Sequence, residues 1–335
     1  MKTYHIPIFV PHEGCPHDCV FCNQRKITGK SEGVSAKEVT KIIEENLNTM
    51  NSDAKIEIAF FGGSFTGIDL EKQTELLNAA YPYVKSGKVS GIRCSTRADY
   101  ITEPILCNLK KYGVTTIELG VQSTDDEVLR LARRGHSFGD VKRAAELIKK
   151  SGINLGLQMM LGLPGDSEEK MLRTAADLIA LKPECVRIYP TLVVEDTALC
   201  HMYRKGTYTP LSLECTVDIL AKIIPMFLGE GIKIIRVGLQ TTDAINEHTV
   251  KGPYHPAIRE LAEGRIIRNI LESHIVGTSN INVRTNPKNV SKIAGHKGCN
   301  RKYIKEKYGI HLNILEDSRV KVSQLIINHE LSDIF

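Results

Sequence analysis

The sequence lacks any long hydrophobic run. Among its 335 residues no stretch reaches the roughly eighteen uncharged apolar residues that a membrane span needs. The opening segment, MKTYHIPIFVPHEGC, has an apolar run too short for a signal peptide. Internal repeats and low-complexity tracts are also missing, and the balance of 42% hydrophobic and 25% charged residues is typical of a folded domain. These absences predict a cytoplasmic protein that makes no contact with a membrane.

The cysteine content excludes a complete set of disulfides, because nine is an odd number. In a reducing compartment, a metal site together with buried thiols is the better interpretation. Six cysteines lie far apart in sequence and are predicted to be small buried hydrophobes that form no second cluster. They are Cys94, Cys107, Cys185, Cys200, Cys215 and Cys299.

The other three cysteines are close together. Cys15, Cys19 and Cys22 lie at spacings of four and three in HEGCPHDCVFCNQ, just after an apolar run. Thiolates so close in sequence can converge on one metal centre. A 4Fe-4S cluster with three thiolate ligands keeps one iron open to a chelating molecule. With His12 or His17, the same cysteines could instead form a structural Cys3His zinc site. The triplet alone leaves both interpretations open.

Six apolar runs, each followed by a helical pattern, predict repeated βα units. They occupy residues 6–10, 55–61, 91–96, 116–121, 155–161 and 185–190. A seventh run, at 232–239, follows a helix-like stretch at 212–228. Ser35 with Glu38, and Asp166 with Glu169, resemble capping boxes at two helix starts.

Unusual polar and glycine-rich motifs follow these runs, which is typical of a barrel mouth, although open sheets also bind ligands at their carboxyl edge. The predicted fold class is α/β, a partial (βα)6 TIM-type barrel with a small C-terminal α/β extension. We expect the barrel to span residues 1–250 and the extension to span 251–335.

The formal net charge of +5 is unevenly distributed. Residues 281–310 contain eight basic residues and one acidic residue, so the rest of the chain is slightly acidic. Within this segment Lys297, Arg301, Lys302 and Lys305 suit contact with RNA phosphates, and the neighbouring tyrosines, at 303 and 308, suit base stacking. A solvated helix face is the alternative interpretation.

The cysteine triplet resembles the signature of the radical S-adenosylmethionine superfamily, in which an aromatic residue precedes the last cysteine, as Phe21 does here. Within it, further motifs most resemble the radical domain of the Elongator catalytic subunit and, more distantly, oxygen-independent coproporphyrinogen oxidase. They occur in matching order: GGSF (62–65), STRAD (95–99), ELGVQS (118–123), RRGH (133–136), LGLPG (161–165) and IYPTLV (188–193). The resemblance spans residues 4–200 and continues to about 310.

The resemblance implies roles for side chains around the cosubstrate. Phe21 would pack near the adenine, and Ser95 and Arg97 would face the cosubstrate from the third strand. Gln122 and Arg134 would contact its ribose and carboxylate. A structural polar network at the strand ends is the alternative for Arg97, Glu118 and Gln122, because such ends also need satisfied hydrogen bonds.

The same resemblance also implies roles for two glycine-containing turns and for the end of the sixth strand. The glycine-rich turn after the second strand would hold the methionine amino group, and glycine allows a ligand to approach closely. This turn comprises Gly62, Gly63 and Ser64. Gly162 and Gly165 would shape the adenine wall, with Tyr189 at the end of the sixth strand. A core position is the alternative for Tyr189.

The implied chemistry begins with an electron from an external donor such as flavodoxin or ferredoxin. The cluster and S-adenosylmethionine would then yield methionine and a 5′-deoxyadenosyl radical, which abstracts hydrogen from the substrate. The Elongator subunit also has an acetyltransferase domain, but its acetyl-coenzyme A loop pattern is absent after residue 250. The resemblance therefore implies the radical half alone.

The leading hypothesis for the substrate is RNA, with tRNA modification as the activity. Two alternatives remain. One is a radical enzyme acting on a small molecule or tetrapyrrole, whose carboxylates would meet the basic residues. The other is a zinc-stabilised RNA-binding adaptor without catalysis.

Overall fold

The computed structural model describes residues 3–10, 19–23, 33–50, 54–239, 247–275 and 280–334. Seven strands form one parallel sheet, with neighbours in chain order. They are β1 (Thr3–Val10), β2 (Lys55–Gly62), β3 (Ile92–Thr96), β4 (Val114–Gln122), β5 (Asn154–Leu161), β6 (Cys185–Pro190) and β7 (Lys233–Val237). The predicted α/β partial barrel is confirmed, and the seventh apolar run adds a seventh strand to it.

Helices alternate with these strands, because a parallel neighbour can be reached only by a crossover. Those associated with the barrel are α1 (Ala36–Leu47), α2 (Leu70–Lys85), α3 (Glu103–Lys111), α4 (Asp126–Leu131), α5 (Phe138–Lys150), α6 (Glu168–Ala180), α7 (Ala198–Arg204) and α8 (Leu213–Gly229). A short antiparallel pair joins residues 193–194 to 249–251. Among the described helices, none is long and apolar enough to cross a bilayer.

The main sheet is strongly curled. In a flat sheet, strands four positions apart would be separated by about 19 Å, since neighbours lie about 4.8 Å apart. Yet the guanidinium of Arg187, on β6, lies 4.9 Å from the ring of Phe61, on β2. Side chains of one sheet face therefore meet across an interior, as in a half-barrel. The opposite face packs against the helices in a continuous apolar core.

Two predicted helix starts can be compared with the structure. The capping box of Ser35 and Glu38 is present at the start of α1. The second start is wrong by one residue, because Ser167 rather than Asp166 caps α6 and accepts a hydrogen bond from the Lys170 amide. Asp166 instead accepts bonds from the Gly162 and Ser167 amides, so its carboxylate supports the preceding turn.

A smaller unit follows the barrel. Its strands pair in the order β9-β8-β10-β11, with β8 (Asn280–Thr285), β9 (His311–Glu316), β10 (Gln324–Ile327) and β11 (Glu330–Asp333). Three further helices are α9 (Ile258–Ser273), α10 (Val290–Ala294) and α11 (Cys299–Tyr308). Helix α9 is shared, since Ile258 packs in the barrel core and Leu271 in the core of the small unit. The division of the chain at residue 250 stays a proposal.

Candidate active site

Two of the three predicted cluster ligands lie in a short turn. The Cys22 amide donates to the Cys19 carbonyl at 2.9 Å, which keeps these two residues close together. Cys19 is buried and Cys22 is partly exposed. Cys15 lies outside the described residues, as do His12 and His17.

Backbone hydrogen bonds fix this cysteine turn over the ends of the strands. The Val20 amide donates to the Ala132 carbonyl at 3.1 Å, and the Val20 carbonyl accepts from the Leu199 amide at 2.7 Å. Val20, Ala132 and Leu199 also belong to one small apolar cluster together with Leu163. Phe21, the predicted adenine neighbour, packs against this cluster. The turn is thus held by the segments that follow β4 and β6.

The six other cysteines are only partly as predicted. Burial is confirmed for Cys94, Cys185 and Cys200. The prediction of burial is wrong for three cysteines on helices, which are exposed to solvent. These are Cys107, Cys215 and Cys299.

Arg134 links the cysteine turn to the barrel. Its Nη1 donates to Cys19 Sγ at 3.3 Å, and its Nη2 donates to the Gly120 carbonyl at 2.6 Å. The side chain of Gln122 lies beside it, because a Cβ added at Gly120 would lie 2.9 Å from Gln122 Nε2 and 3.3 Å from Arg134 Nη2. Of these two predicted cosubstrate residues, Arg134 contacts a predicted cluster ligand and Gln122 lies beside Arg134.

Arg97 joins the same group from the end of β3. Its guanidinium pairs with Asp99 at 2.9 Å and donates to the Arg134 carbonyl. His136 is buried next to them, and burial together with the charges of Arg134 and Arg97 lowers its pKa to about 4. The imidazole is therefore neutral near pH 7, and the positive charge here belongs to the two arginines. Asp99 and His136 belong to the STRAD and RRGH motifs, but neither motif by itself indicates a role for them.

The glycine-rich turn after β2 is packed against β1. Gly62 has φ +105°, and a Cβ there would lie 2.8 Å from the Val10 carbonyl oxygen. That oxygen also accepts a hydrogen bond from the Gly63 amide at 2.9 Å. Ser64 is buried at the start of a short 3-10 turn. A bound ammonium group needs acceptors, so carbonyl oxygens are the groups of this turn that suit the predicted contact.

We expect Gly62→Ala to disrupt this turn. The variant combines an unfavourable positive φ, of about 1–3 kcal/mol, with a backbone clash. Gly87→Ala is the matched control, because Gly87 also has a positive φ but nothing lies within 4 Å of its added Cβ. Urea unfolding should show a larger loss for Gly62→Ala, and calorimetry should show weaker S-adenosylmethionine binding. Equal losses in both variants would contradict the importance of the close approach.

The predicted adenine wall lies after β5. Gly162 and Gly165 both have φ +76°, and Cβ atoms there would lie 2.8 Å from the side chain of Leu211 and 2.5 Å from that of Leu131. The Gly162 carbonyl accepts from the Tyr208 hydroxyl at 2.7 Å. Burial raises the pKa of Asp166, whose carboxylate accepts from the Gly162 amide, to about 6. These contacts fix the path of the turn and leave no room for a side chain at Gly162 or Gly165.

A buried charge network forms the floor of the barrel interior. Glu118 on β4 accepts from Arg93 on β3 at 2.7 Å and from two nitrogens of Arg187 on β6. Arg93 also pairs with Glu57 on β2 at 2.9 Å. Burial alone raises the pKa of the Glu57 carboxyl, but neighbouring cationic groups and hydrogen bonds outweigh it and lower the pKa to about 2. The network connects four strands below the cysteine turn.

Two predicted cosubstrate residues border this floor network. Ser95 accepts from Gln158 at 3.3 Å, and Gln158 also lies 3.5 Å from Glu118. Tyr189 is partly buried two residues beyond Arg187, on the same face of β6. Ser95 is paired with Glu118 in the sheet register, whereas Tyr189 lies nearer the carboxyl ends of the strands.

The sequence contains a signal for this floor network. Charged residues inside strands otherwise built of apolar residues stand two apart from other polar residues, as with Arg93 and Ser95 on β3 or Arg187 and Tyr189 on β6. Residues two apart share one face of a strand. Such a pattern predicts a polar interior, although it does not identify the pairs.

The protein is an α/β partial barrel in which polar residues gather at the carboxyl ends of the strands. This arrangement is typical of enzymes. Comparison with protein families is consistent with this class. The model of the Radical SAM superfamily matches residues 9–178, and that of the Radical SAM C-terminal domain matches residues 183–268. The chain belongs to the radical SAM superfamily and is an enzyme of that superfamily.

Individual relatives point in the same direction. The chain is 28% identical over 256 residues to a tRNA uridine(34) acetyltransferase of Methanocaldococcus jannaschii, covering 64% of this chain and 47% of that protein. It is 28% identical to human Elongator complex protein 3, covering 67% of this chain and 44% of that protein. An uncharacterised protein of M. jannaschii is 34% identical, with 68% and 74% covered. The chain thus spans about half the length of the tRNA uridine(34) acetyltransferase and of human Elongator complex protein 3.

Solved structures support the fold alone. The archaeal Methanocaldococcus infernus Elp3 with an N-terminal deletion matches with a TM-score of 0.61 at 20% identity, covering 98% of this chain and 76% of that one. SuiB of Streptococcus suis bound to S-adenosylmethionine matches with a TM-score of 0.52 at 14% identity, covering 72% and 51%. The first match extends through the small C-terminal unit.

Proposed function

We propose that this chain cleaves S-adenosylmethionine reductively at a 4Fe-4S cluster held by Cys15, Cys19 and Cys22. The observation that carries this proposal is the buried guanidinium of Arg134 against Cys19 Sγ. A buried cation favours an anionic sulfur, so the position suits a thiolate that binds metal. When bound, the cluster and cosubstrate supply a 5′-deoxyadenosyl radical.

The described residues would bind and orient the cosubstrate. Arg134 contacts the cysteine turn and Gln122 lies beside Arg134, where they suit the carboxylate and ribose, and Arg97 holds the Arg134 backbone in place. Phe21 lies at the turn itself, where it suits the adenine. The electron would come from an external donor such as flavodoxin or ferredoxin, in the cytoplasm.

Other parts of the proposed site would shape its walls. Carbonyl groups of the turn at Gly62, Gly63 and Ser64 suit the methionine amino group. The turn bearing Gly162 and Gly165 would face the adenine. Ser95 and Tyr189 point into the barrel interior, which suits contact with the cosubstrate or the substrate.

We further propose that the substrate is RNA, and specifically tRNA. The activity in the name of the M. jannaschii relative supports this substrate class. A group of four basic side chains near the C-terminus supports it as well. Basic residues near the C-terminus differ in their partners: Lys292 pairs with Glu263 at 2.8 Å and Lys307 with Glu272 at 2.9 Å. Four exposed cations have no carboxylate within 4 Å among the described residues: Lys297, Arg301, Lys302 and Lys305.

The position of these cations on α11 favours an anionic partner. Asn300 and Ile304 are the buried residues of this helix, and Arg301, Lys302 and Lys305 lie away from them. Arg301 and Lys302 are near the helix N-terminus, where cations are unfavourable, and Arg301 repels Lys305 at i,i+4 spacing. These three cations therefore lower the stability of α11, and contacts with phosphate groups would offset that loss.

The two tyrosines of this segment have a different role from the predicted stacking. The hydroxyls of Tyr303 and Tyr308 donate to Glu272 at 2.9 and 2.6 Å. The guanidinium of Arg268 covers the Tyr303 ring at 4.2 Å. These contacts attach α11 to α9, so the proposed RNA contact rests on the cations and not on the rings.

Neutralising the four cations to glutamine should weaken RNA binding strongly. If each contacts one phosphate, the slope of log affinity against log salt should decrease by up to about 3. Fluorescence anisotropy with labelled tRNA at several salt concentrations measures both quantities.

The control for this variant carries the same change of charge elsewhere. Lys85, Lys88, Lys149 and Lys150 are exposed and belong to the barrel helices or the loop after them. Their neutralisation should leave the salt slope nearly unchanged. Equal affinity of the α11 variant and the unmodified protein would overturn the RNA proposal, as would turnover of a tetrapyrrole.

A further inference from the structure

Four arginines are buried in the part of the chain that the structure describes, and one differs from the others. Arg93 pairs with Glu57 and Glu118, Arg187 with Glu118, and Arg97 with Asp99. Arg134 has no carboxylate within 4 Å among the described residues. Its guanidinium instead bonds to the thiol sulfur of Cys19 and to the Gly120 carbonyl.

An unpaired buried cation is unfavourable because it has lost the hydration of its charge. A carbonyl dipole compensates this loss only in part. In the part of the chain that the structure describes, the Cys19 sulfur is the neighbouring group that can become an anion, and it would do so as a metal ligand. The position of Arg134 is therefore explained if an anionic centre forms at Cys19.

Arg134 is also held in a fixed position. A charged side chain needs such a position if it is to have a constant effect on the group beside it. Its Nη2 bonds to Gly120 at 2.6 Å, and its carbonyl accepts from the Arg97 guanidinium, itself bound to Asp99. Buried His136 is neutral near pH 7 and adds no charge. Arg134, the positive group that contacts Cys19 among the described residues, is thus held at both its backbone and its side chain.

We infer that Arg134 raises the reduction potential of the 4Fe-4S cluster that Cys19 helps to hold, an inference that rests on the proposed function. Hydrogen bonds to ligand sulfurs and the local charge are two of the levers that set such potentials. One-electron reduction, by the external donor, adds one negative charge to the cluster and breaks no bond. The adjacent guanidinium stabilises this more negative state relative to the oxidised one.

An EPR-monitored redox titration of the reconstituted protein, without S-adenosylmethionine, tests the inference. With dithionite as reductant, Arg134→Gln should reduce the ratio of reduced to oxidised cluster about tenfold at a fixed potential, a midpoint lower by about 59 mV. Arg134→Lys, which keeps the charge, should recover part of this shift. Arg133→Gln is the matched control, since Arg133 is exposed, and its midpoint should not move. An unchanged midpoint in Arg134→Gln overturns the inference.

A measurement on the unmodified protein covers the case in which Arg134→Gln fails to fold or to bind iron. With arginine labelled by nitrogen-15, pulsed EPR of the reduced cluster should show coupling to a guanidinium nitrogen. Absence of that coupling also overturns the inference. If the unmodified protein binds no cluster at all, the proposed function fails first, so the two failures are distinguishable.

Discussion

Replacing Cys19 with alanine is expected to abolish 5′-deoxyadenosine formation and to remove most of the cluster-bound iron. The variant deletes one of only three proposed thiolate ligands and leaves the Arg134 guanidinium without its sulfur acceptor. Loss of an outer partner of a metal ligand already costs 10–100-fold, so loss of a ligand should cost at least about a hundredfold. Anaerobic reconstitution, iron and sulfide analysis, and mass spectrometry of the products after reduction measure the effect.

Matched cysteine variants separate this result from a general loss of thiols. Cys107→Ala and Cys215→Ala remove exposed thiols from α3 and α8, and both should retain full iron and activity. The Cys15/Cys19/Cys22 triple alanine variant should retain no cluster. Appreciable residual cluster in that variant would contradict the assignment. A colourless, zinc-loaded unmodified protein that forms no 5′-deoxyadenosine would favour the adaptor hypothesis instead.

The strands could be predicted from the sequence because each one is a short apolar run followed by a helical pattern. The motifs after the strands favoured a barrel over an open sheet, and in the structure successive parallel strands lie side by side. The start of α6 was missed by one residue because Asp166 and Ser167 are both good caps, and only the backbone path decides between them.

The contacts that define the proposed site could not be predicted in the same way. Arg134 and Cys19 are 115 residues apart, and their contact depends on how the turn after α4 meets the cysteine turn. The motifs indicated that both belong to one site, but not that they touch. Similarly, a structural polar network is one of the roles that the sequence allows Glu118, but its two arginine partners are set by the curl of the sheet.

Glu118→Ala is expected to cause the largest loss of stability of any single change in the barrel interior. Glu118 is almost fully buried and is the carboxylate that pairs with Arg187 among the described residues. Its removal leaves Arg187 without a counter-charge and weakens the pairing of Arg93. Breaking a buried ion pair from one side costs about 3–5 kcal/mol, because the remaining charge stays desolvated.

Urea unfolding monitored by circular dichroism measures this loss, with Glu127→Gln as the control. Glu127 is exposed, and its contact with Arg130 is 3.8 Å long, so its replacement should change the unfolding free energy by less than about 1 kcal/mol. The double variant Glu118→Leu/Arg187→Met should recover much of the stability lost in Glu118→Ala, since replacing both charges removes the unpaired cation. If Glu118→Ala and Glu127→Gln lose equal stability, the floor network does not hold the barrel strands together. If the double variant is stable but forms no 5′-deoxyadenosine, the network serves the reaction as well as the fold.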